Sequence, residues 1–260
     1  MAWILDLDGV VWRGDTPVAG SVDAVNRLRL NGERVLFLTN NSSAEIAGYV
    51  AKMATMGLIA GPEEVCTSAQ AAALVVAPGS TALVCGGPGI TESLLAVGVR
   101  CVRDYEPGVD AVVAGWHRDF TFDRLTEAYV AVRAGARLIG TNDDPTYPTA
   151  DGELPGGGAI VAAIAYAAGV EPTFAGKPHE PSAELIFARL GWPQNPTVEQ
   201  RQSLLMVGDR PSTDGGMAVT LGARFALVLS GVTAAADLPV VPTPNSVDAN
   251  LAALVDRYLS

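Results

Sequence analysis

The stretch WILDLDGVVW, residues 3–12, runs an apolar segment directly into two carboxylates, Asp6 and Asp8, separated by Leu7 and followed at once by Gly9. An apolar run without polar alternation suits a strand of a parallel sheet that is covered on both faces. Two like charges at the end of such a strand repel each other unless a cation or a chemical task holds them there. The same layout recurs along the chain. RVLFLTN and SLLMVGD also read as buried strands that end in polar clusters, and helix-like segments such as SVDAVNRLRLNG alternate with them. The alternation predicts an α/β protein built on a Rossmann-like parallel sheet. Gly32 and Gly57 sit where helices should stop, and Ser42 with Glu45 has the spacing of a capping box.

A second series of strand and helix patterns occupies the middle of the chain: TALVCGG (81–87), DAVVAGW (110–116), FDRLTEAYVAVRAG, ARLIGTN (136–142) and PGGGAIVAAIAYAAG. TFAGK (173–177), PSAELIFARLG, SLLMVGD (203–209), RFALVLSG (224–231) and a closing helix near 246–258 follow. These are too many strands for one tidy sheet, and chain order alone leaves open whether the middle series is a separate domain.

With 260 residues, 49% of them apolar, the chain has material for one large α/β domain or two modest ones. Its net charge of -11, from 17 basic and 28 acidic residues, disfavours nucleic acid and anionic membrane surfaces as partners, so an anionic ligand must be held by local groups. No apolar stretch is long enough to span a bilayer, and the first residues pass straight into a strand without a basic segment or cleavage site, which makes a cytoplasmic location the expectation. Cys66, Cys85 and Cys101 are odd in number and widely spaced, and read as small buried hydrophobes.

Four polar clusters each follow a predicted strand: DLDG (6–9), TNNS (39–42), GKP (176–178) and GDRPSTD (208–214). In an open parallel sheet the carboxyl ends of the strands share one edge, where such folds bind ligands. Brought together there, Asp6, Asp8, Asp209 and Asp214 call for a cation, and hard oxygen ligands suit Mg²⁺, which shares its coordination with phosphate oxygens. A carboxylate can attack phosphorus to form an aspartyl phosphate, while a second carboxylate two residues on protonates the leaving oxygen and later takes a proton from water. Lys177 offers charge to the transferred group, and Thr39 with nearby backbone N–H groups offers neutral donors. Each cluster alone has a plainer explanation as a turn or helix cap. Their joint occurrence in this order carries the chemistry.

That set resembles the haloacid dehalogenase superfamily of phosphotransferases, with DLDGV, TNNS, GKP and GDRPSTD standing for its four motifs and the DxD form seen in its phosphatases and phosphomutases. The segment between the second and third motifs looks like the large α/β cap of the branch that holds para-nitrophenyl, phosphoglycolate and pyridoxal phosphate phosphatases, with further similarity in TNDDPTYPTADGELPGGGA (141–159). The resemblance implies a core of residues 1–77 and 173–260 with a cap inserted at 78–172. It makes Asp6 the nucleophile and a Mg²⁺ ligand, and Asp8 the general acid/base that lends its main-chain carbonyl to the metal. Asp209 becomes a direct ligand, Asp214 a ligand through water, and Lys177 the partner of Asp6 and the phosphoryl group. Thr39, the Asn40 backbone, Asn41 and Gly9 fall to phosphate binding, and Trp116, His117 and Arg118 of the cap to the leaving group. The implied partner is a small phosphorylated metabolite, with a homodimer through cap surfaces compatible.

Several residues have plainer readings. Trp12 reads as packing, His179 as a helix-start histidine, and PGGGAI as a tight helix entry. GGPGITES lacks the Lys-Ser/Thr ending of a P-loop. Two other functions stay open: a phosphomutase that passes the phosphoryl group to a sugar hydroxyl, and a non-catalytic phosphometabolite-binding protein on the same scaffold.

Overall fold

The computed structural model describes residues 1–149 and 152–260. The chain divides into two compact units, one of Met1–Thr39, Ala47–Cys66 and Lys177–Ser260, the other of Asn40–Ile46 and Thr67–Gly176.

A six-stranded sheet forms the centre of the first unit, in the order Ser246–Asp248, Arg224–Val228, Leu204–Gly208, Ala2–Asp6, Arg34–Thr39, Val65–Thr67. Ala2–Asp6 runs parallel to both its neighbours, and all five of its residues are buried. Double-sided coverage explains why this strand carries no polar alternation. Leu5 pairs with Val207 on one side and Asp6 with Leu38 on the other. Asp6, Thr39 and Asp209 therefore emerge at one sheet edge as a consequence of register. Trp3, Ile4, Leu5, Phe37 and Leu38 are fully buried in this core, and the helices Ser21–Leu30 and Leu251–Leu259 pack together beside it.

The second unit carries a five-stranded parallel sheet in the order Thr173–Phe174, Arg137–Gly140, Ala111–Ala114, Thr81–Cys85, Arg100–Val102. Its core joins Leu83, Val112, Ala114 and Leu138 of the strands to Ala128 and Val132 of the helix Phe122–Arg133 and to Val161 and Ile164 of the helix Gly157–Ala168. An antiparallel hairpin pairs Thr146–Thr149 with Gly152–Pro155. The α/β class and the two parallel sheets agree with the sequence reading.

Four expectations change in detail. The units do not divide at 77/78 and 172/173: helix Ser68–Leu74 packs on helix Pro88–Ala96 of the second unit, and Thr173–Phe174 pairs with Ile139–Gly140. Lys177 is thus reached from a strand of the second sheet, where the sequence suggested one sheet for all four clusters. Ser42 caps no helix. The next one starts at Ile46, whose N–H donates to Glu92, while the Ser42 hydroxyl lies 3.0 Å from that of Thr141. The segment expected as a helix from 246 begins as the edge strand Ser246–Asp248, and the helix runs over Leu251–Leu259 with the Asn250 side chain as its cap. Ala150 and Asp151 of the 141–159 stretch lie outside the described residues. Among the described residues, no helix is long and apolar enough to cross a membrane, and Cys66 and Cys85 are buried with free thiols.

Candidate active site

Asp6 ends the central strand with its carboxylate almost wholly removed from solvent. The Lys177 Nζ lies 2.7 Å from Asp6 Oδ1 and 2.7 Å from Asp214 Oδ1, and Lys177 is 2% exposed. One ammonium thereby serves two buried carboxylates. Leu7 N–H also donates to Asp6 Oδ1, at 2.8 Å. Asp214 sits in a single π-helical turn, Pro211–Gly215, directly ahead of helix Gly216–Leu221. That turn lets the Arg210 N–H donate to Asp214 Oδ2 at 3.0 Å while Oδ1 takes the lysine; such turns often mark functional positions. Asp209 follows strand Leu204–Gly208, and its Oδ2 accepts from Val232 N–H at 2.6 Å.

Carboxylate oxygens of Asp6, Asp209 and Asp214 all lie within 4.8 Å of one another, and all three residues are buried. Three carboxylates against one lysine leave excess negative charge out of water, which is expensive unless a further cation joins them. Glycines make the crowding possible. Gly9 has φ +84°, and a Cβ there would lie 2.7 Å from Asp209 Cγ and 2.9 Å from Gly231 Cα. At Gly208 a Cβ would collide with the Asp214 carboxylate. The sequence reading missed Gly208 and Gly231; their signal was a glycine as the last residue of one strand and another three residues beyond the next.

The charge cluster shifts its own titration. Burial, then the Asp214 charge, push Asp6 well above the ordinary carboxylate range, against the pull of Lys177. Burial and the Asp214 charge raise Asp209 to about 6, with the Val232 N–H opposing. For Lys177, burial works against the ammonium, but Asp214 and Asp6 outweigh it and lift its pKa.

A stability prediction follows for the metal-free protein. The folded pKa of Asp209 lies above its unfolded value, so the folded state holds the extra proton between the two, and stability falls as pH rises from about 4 through about 6. Asp209→Asn removes that loss. In chelator at pH 8 the variant should be more stable than the parent by roughly 2–3 kcal/mol in urea unfolding, the advantage vanishing below pH 4. A variant less stable than the parent at pH 8 would contradict the charge-crowding account.

Asp8 stands apart from the three-carboxylate cluster. Burial raises its pKa from the ordinary value, and Trp12 Nε1–H donates to its Oδ1 at 3.0 Å. Trp12, read from sequence as packing, is indeed 1% exposed, but it also holds a polar contact that no residue pattern announced. Thr39 is buried at the end of its strand, in the same unit as the three aspartates and Lys177.

The other predicted binding residues belong to the second unit. Asn40 Nδ2 donates to Asp144 Oδ2 at 2.9 Å, and the Asn40 carbonyl accepts from Ser68 and Asn142. Asn41 Oδ1 accepts from the backbone N–H and the hydroxyl of Ser43. In the loop after strand Ala111–Ala114, Trp116 stacks on Tyr147 with ring centroids 4.8 Å apart and donates its indole N–H to the Pro155 carbonyl. The Arg118 guanidinium lies 5.9 Å from the Trp116 ring. His117 Nδ1 is 2.9 Å from the Gly115 carbonyl, leaving Arg118 as the exposed member of the trio. The PGGGAI entry is tight, as expected: Gly158 N–H donates to the Asp144 carbonyl, and a Cβ there would meet the backbone of Asp143.

The haloacid dehalogenase-like hydrolase family matches residues 3–100, and a second family described as HAD-hydrolase-like matches residues 174–254. The chain is 38% identical over 238 residues to a D-glycerol 3-phosphate phosphatase of Mycobacterium tuberculosis, covering 90% of this chain and 64% of that one, so it spans just under two thirds of that relative's length. It is 36% identical over 239 residues to an acid sugar phosphatase of Staphylococcus saprophyticus, covering 89% and 87% of the two chains. The crystal structure of a glycerol phosphate phosphatase from Mycobacterium tuberculosis in complex with magnesium is similar with a TM-score of 0.87 and 36% identity, over 97% of this chain and 75% of that one. On its motifs, its fold and these relatives together, the chain belongs to the haloacid dehalogenase-like hydrolase family.

Proposed function

We propose that this hydrolase is a Mg²⁺-dependent phosphatase of small phosphorylated metabolites that works through an aspartyl phosphate on Asp6, with Asp8 as general acid/base. The observation that carries the reading is the single buried lysine shared by Asp6 and Asp214, with Asp209 beside them.

A metal fits the donor set. Three buried carboxylates are hard oxygen donors with more negative charge than Lys177 neutralises, and Asp6, Asp209 and Asp214 are the residues that would hold it. When bound, Mg²⁺ supplies charge neutralisation to the acidic cluster and to the phosphate oxygens.

The protein's own groups do the rest. Lys177, 2.7 Å from Asp6, favours the ionised form against burial, and the Asp6 carboxylate attacks phosphorus as the ester oxygen departs. Asp8, whose proton affinity burial has raised, gives that oxygen its proton. Water then attacks the phosphorus of the acyl phosphate, its proton passing to Asp8, and inorganic phosphate leaves with Asp6 regenerated. Lys177 and Thr39 serve in this reading as donors to the transferred phosphoryl group. For Gly9, Asn40 and Asn41 the family resemblance supports a phosphate-binding role, and for Trp116, His117 and Arg118 a leaving-group role.

The relatives are named D-glycerol 3-phosphate phosphatase and acid sugar phosphatase, and this supports short polyol and sugar phosphates as the substrate class. A panel of glycerol 3-phosphate, sugar phosphates, phosphoglycolate, pyridoxal phosphate and a nucleotide tests the reading. Phosphate release should need Mg²⁺, stop in chelator and favour the small polyol or sugar esters. Release unaffected by chelation, isomerised sugar phosphate in place of free phosphate, or binding without turnover would refute it.

A further inference from the structure

The loop after Asp6 has a construction that the catalytic roles above do not use. Backbone N–H groups of Val10, Val11 and Trp12 all converge on the Leu7 carbonyl, and Gly9 N–H donates back to the Trp12 carbonyl at 2.7 Å. This tight fold returns the Trp12 side chain to Asp8, four residues earlier, where its indole N–H meets Oδ1 at 3.0 Å. An indole N–H can only donate. The oxygen it binds acts as an acceptor, which favours the Asp8 proton on Oδ2, because the carbonyl oxygen of a carboxylic acid accepts better than its hydroxyl oxygen.

The indole is itself immobilised. Trp12 is 1% exposed, and Lys52, from helix Ile46–Thr55, places its ammonium 4.7 Å from the ring centroid, with Asp15 holding that ammonium at 3.3 Å. A cation over an aromatic face attracts the ring and strengthens its edge N–H as a donor.

We infer that Trp12, clamped by Lys52, is a positioning residue that fixes which oxygen of Asp8 delivers and collects the proton. The inference rests on the proposed acid/base role of Asp8. Its consequence depends on the ester. A p-nitrophenolate leaves without help, whereas an alkoxide must be protonated as it leaves. Misplacing the proton therefore harms alkyl phosphates far more than aryl ones. The effect falls on kcat/KM, which reports the steps through ester cleavage.

Trp12→Phe keeps the ring under Lys52 and deletes the N–H. Its kcat/KM should fall about 10- to 100-fold for glycerol 3-phosphate but less than about 3-fold for p-nitrophenyl phosphate, in line with the usual worth of a positioned acid. Equal losses on the two esters, which a merely structural role would give, or no loss on either, would overturn the inference. Lys52→Met, at a half-buried surface site, tests the clamp without touching the core. It should lower the alkyl-to-aryl ratio of kcat/KM about 3-fold, and an unchanged ratio overturns the clamp even where Trp12→Phe fails to fold. Asp8→Asn separates this inference from the reading beneath it. A large alkyl-selective loss there with none in Trp12→Phe defeats the positioning role alone, and no selectivity in Asp8→Asn defeats the acid/base assignment itself.

Discussion

Asp6→Asn should lower kcat by about 10⁴-fold or more while leaving a folded protein, as the proposed role of Asp6 as covalent nucleophile requires. The amide has nearly the shape of the carboxylate, and its oxygen can still accept from Lys177 Nζ and from Leu7 N–H, the two donors that Asp6 Oδ1 has now. What it lacks is the charge and the nucleophilic lone pair. Removing one negative charge from a cluster in which burial and Asp214 already strain the ionised form of Asp6 also relieves repulsion. The variant's melting temperature should therefore equal or exceed the parent's in chelator. Circular dichroism and thermal unfolding report the fold, and phosphate release reports the activity. Residual turnover above about 1% of the parent in a variant free of deamidation would remove Asp6 from the role of nucleophile.

Lys177→Met should damage both stability and activity. The ammonium is the shared partner of two buried carboxylates, and breaking a buried pair by removing one member typically costs about 3–5 kcal/mol because the other charge is left uncompensated. Loss of Lys177 also removes the influence that lowers the Asp6 pKa, which disfavours the ionised form that attacks. Turnover should fall by about 10³-fold, comparable to losing an electrostatic donor in other active sites. Adding Asp214→Asn separates the two effects. The double variant should recover much of the stability, since one orphaned charge is gone, but none of the activity, since the phosphoryl group still lacks its cation. Recovery of both together would mean that Lys177 serves only to neutralise Asp214.

Much of this arrangement is legible in the amino-acid sequence. Strands buried on both faces carry unbroken apolar runs, and parallel register then places Asp6, Thr39 and Asp209 at one edge without further information. Lys177 is legible as a residue type in a motif, but its route is not. A two-residue strand, Thr173–Phe174, has too little periodicity to reveal which sheet it joins. Ser42 fails as a cap because the capping-box spacing describes only local competition for N–H groups, whereas Thr141, almost a hundred residues on, claims its hydroxyl. The closing segment hides an edge strand of three residues ahead of its helix for the same reason as Thr173–Phe174. Trp12 shows a different limit. Its burial follows from its apolar bulk, but the hydrogen bond to Asp8 depends on a loop folded around one carbonyl and on a positive φ at Gly9. Side-chain direction within so tight a turn is a tertiary outcome that spacing does not encode.

The most direct test of Asp6 as a phosphorus nucleophile is chemical trapping. The Asp8→Asn variant, slowed in hydrolysing the acyl phosphate, is mixed with p-nitrophenyl phosphate and Mg²⁺, quenched in acid within the first turnover and reduced with borohydride, which converts an aspartyl phosphate to homoserine. Peptide mass spectrometry should find homoserine at position 6 in proportion to the nitrophenol released. A full equivalent of nitrophenol with unmodified Asp6, or with the modification on another residue, would contradict the account.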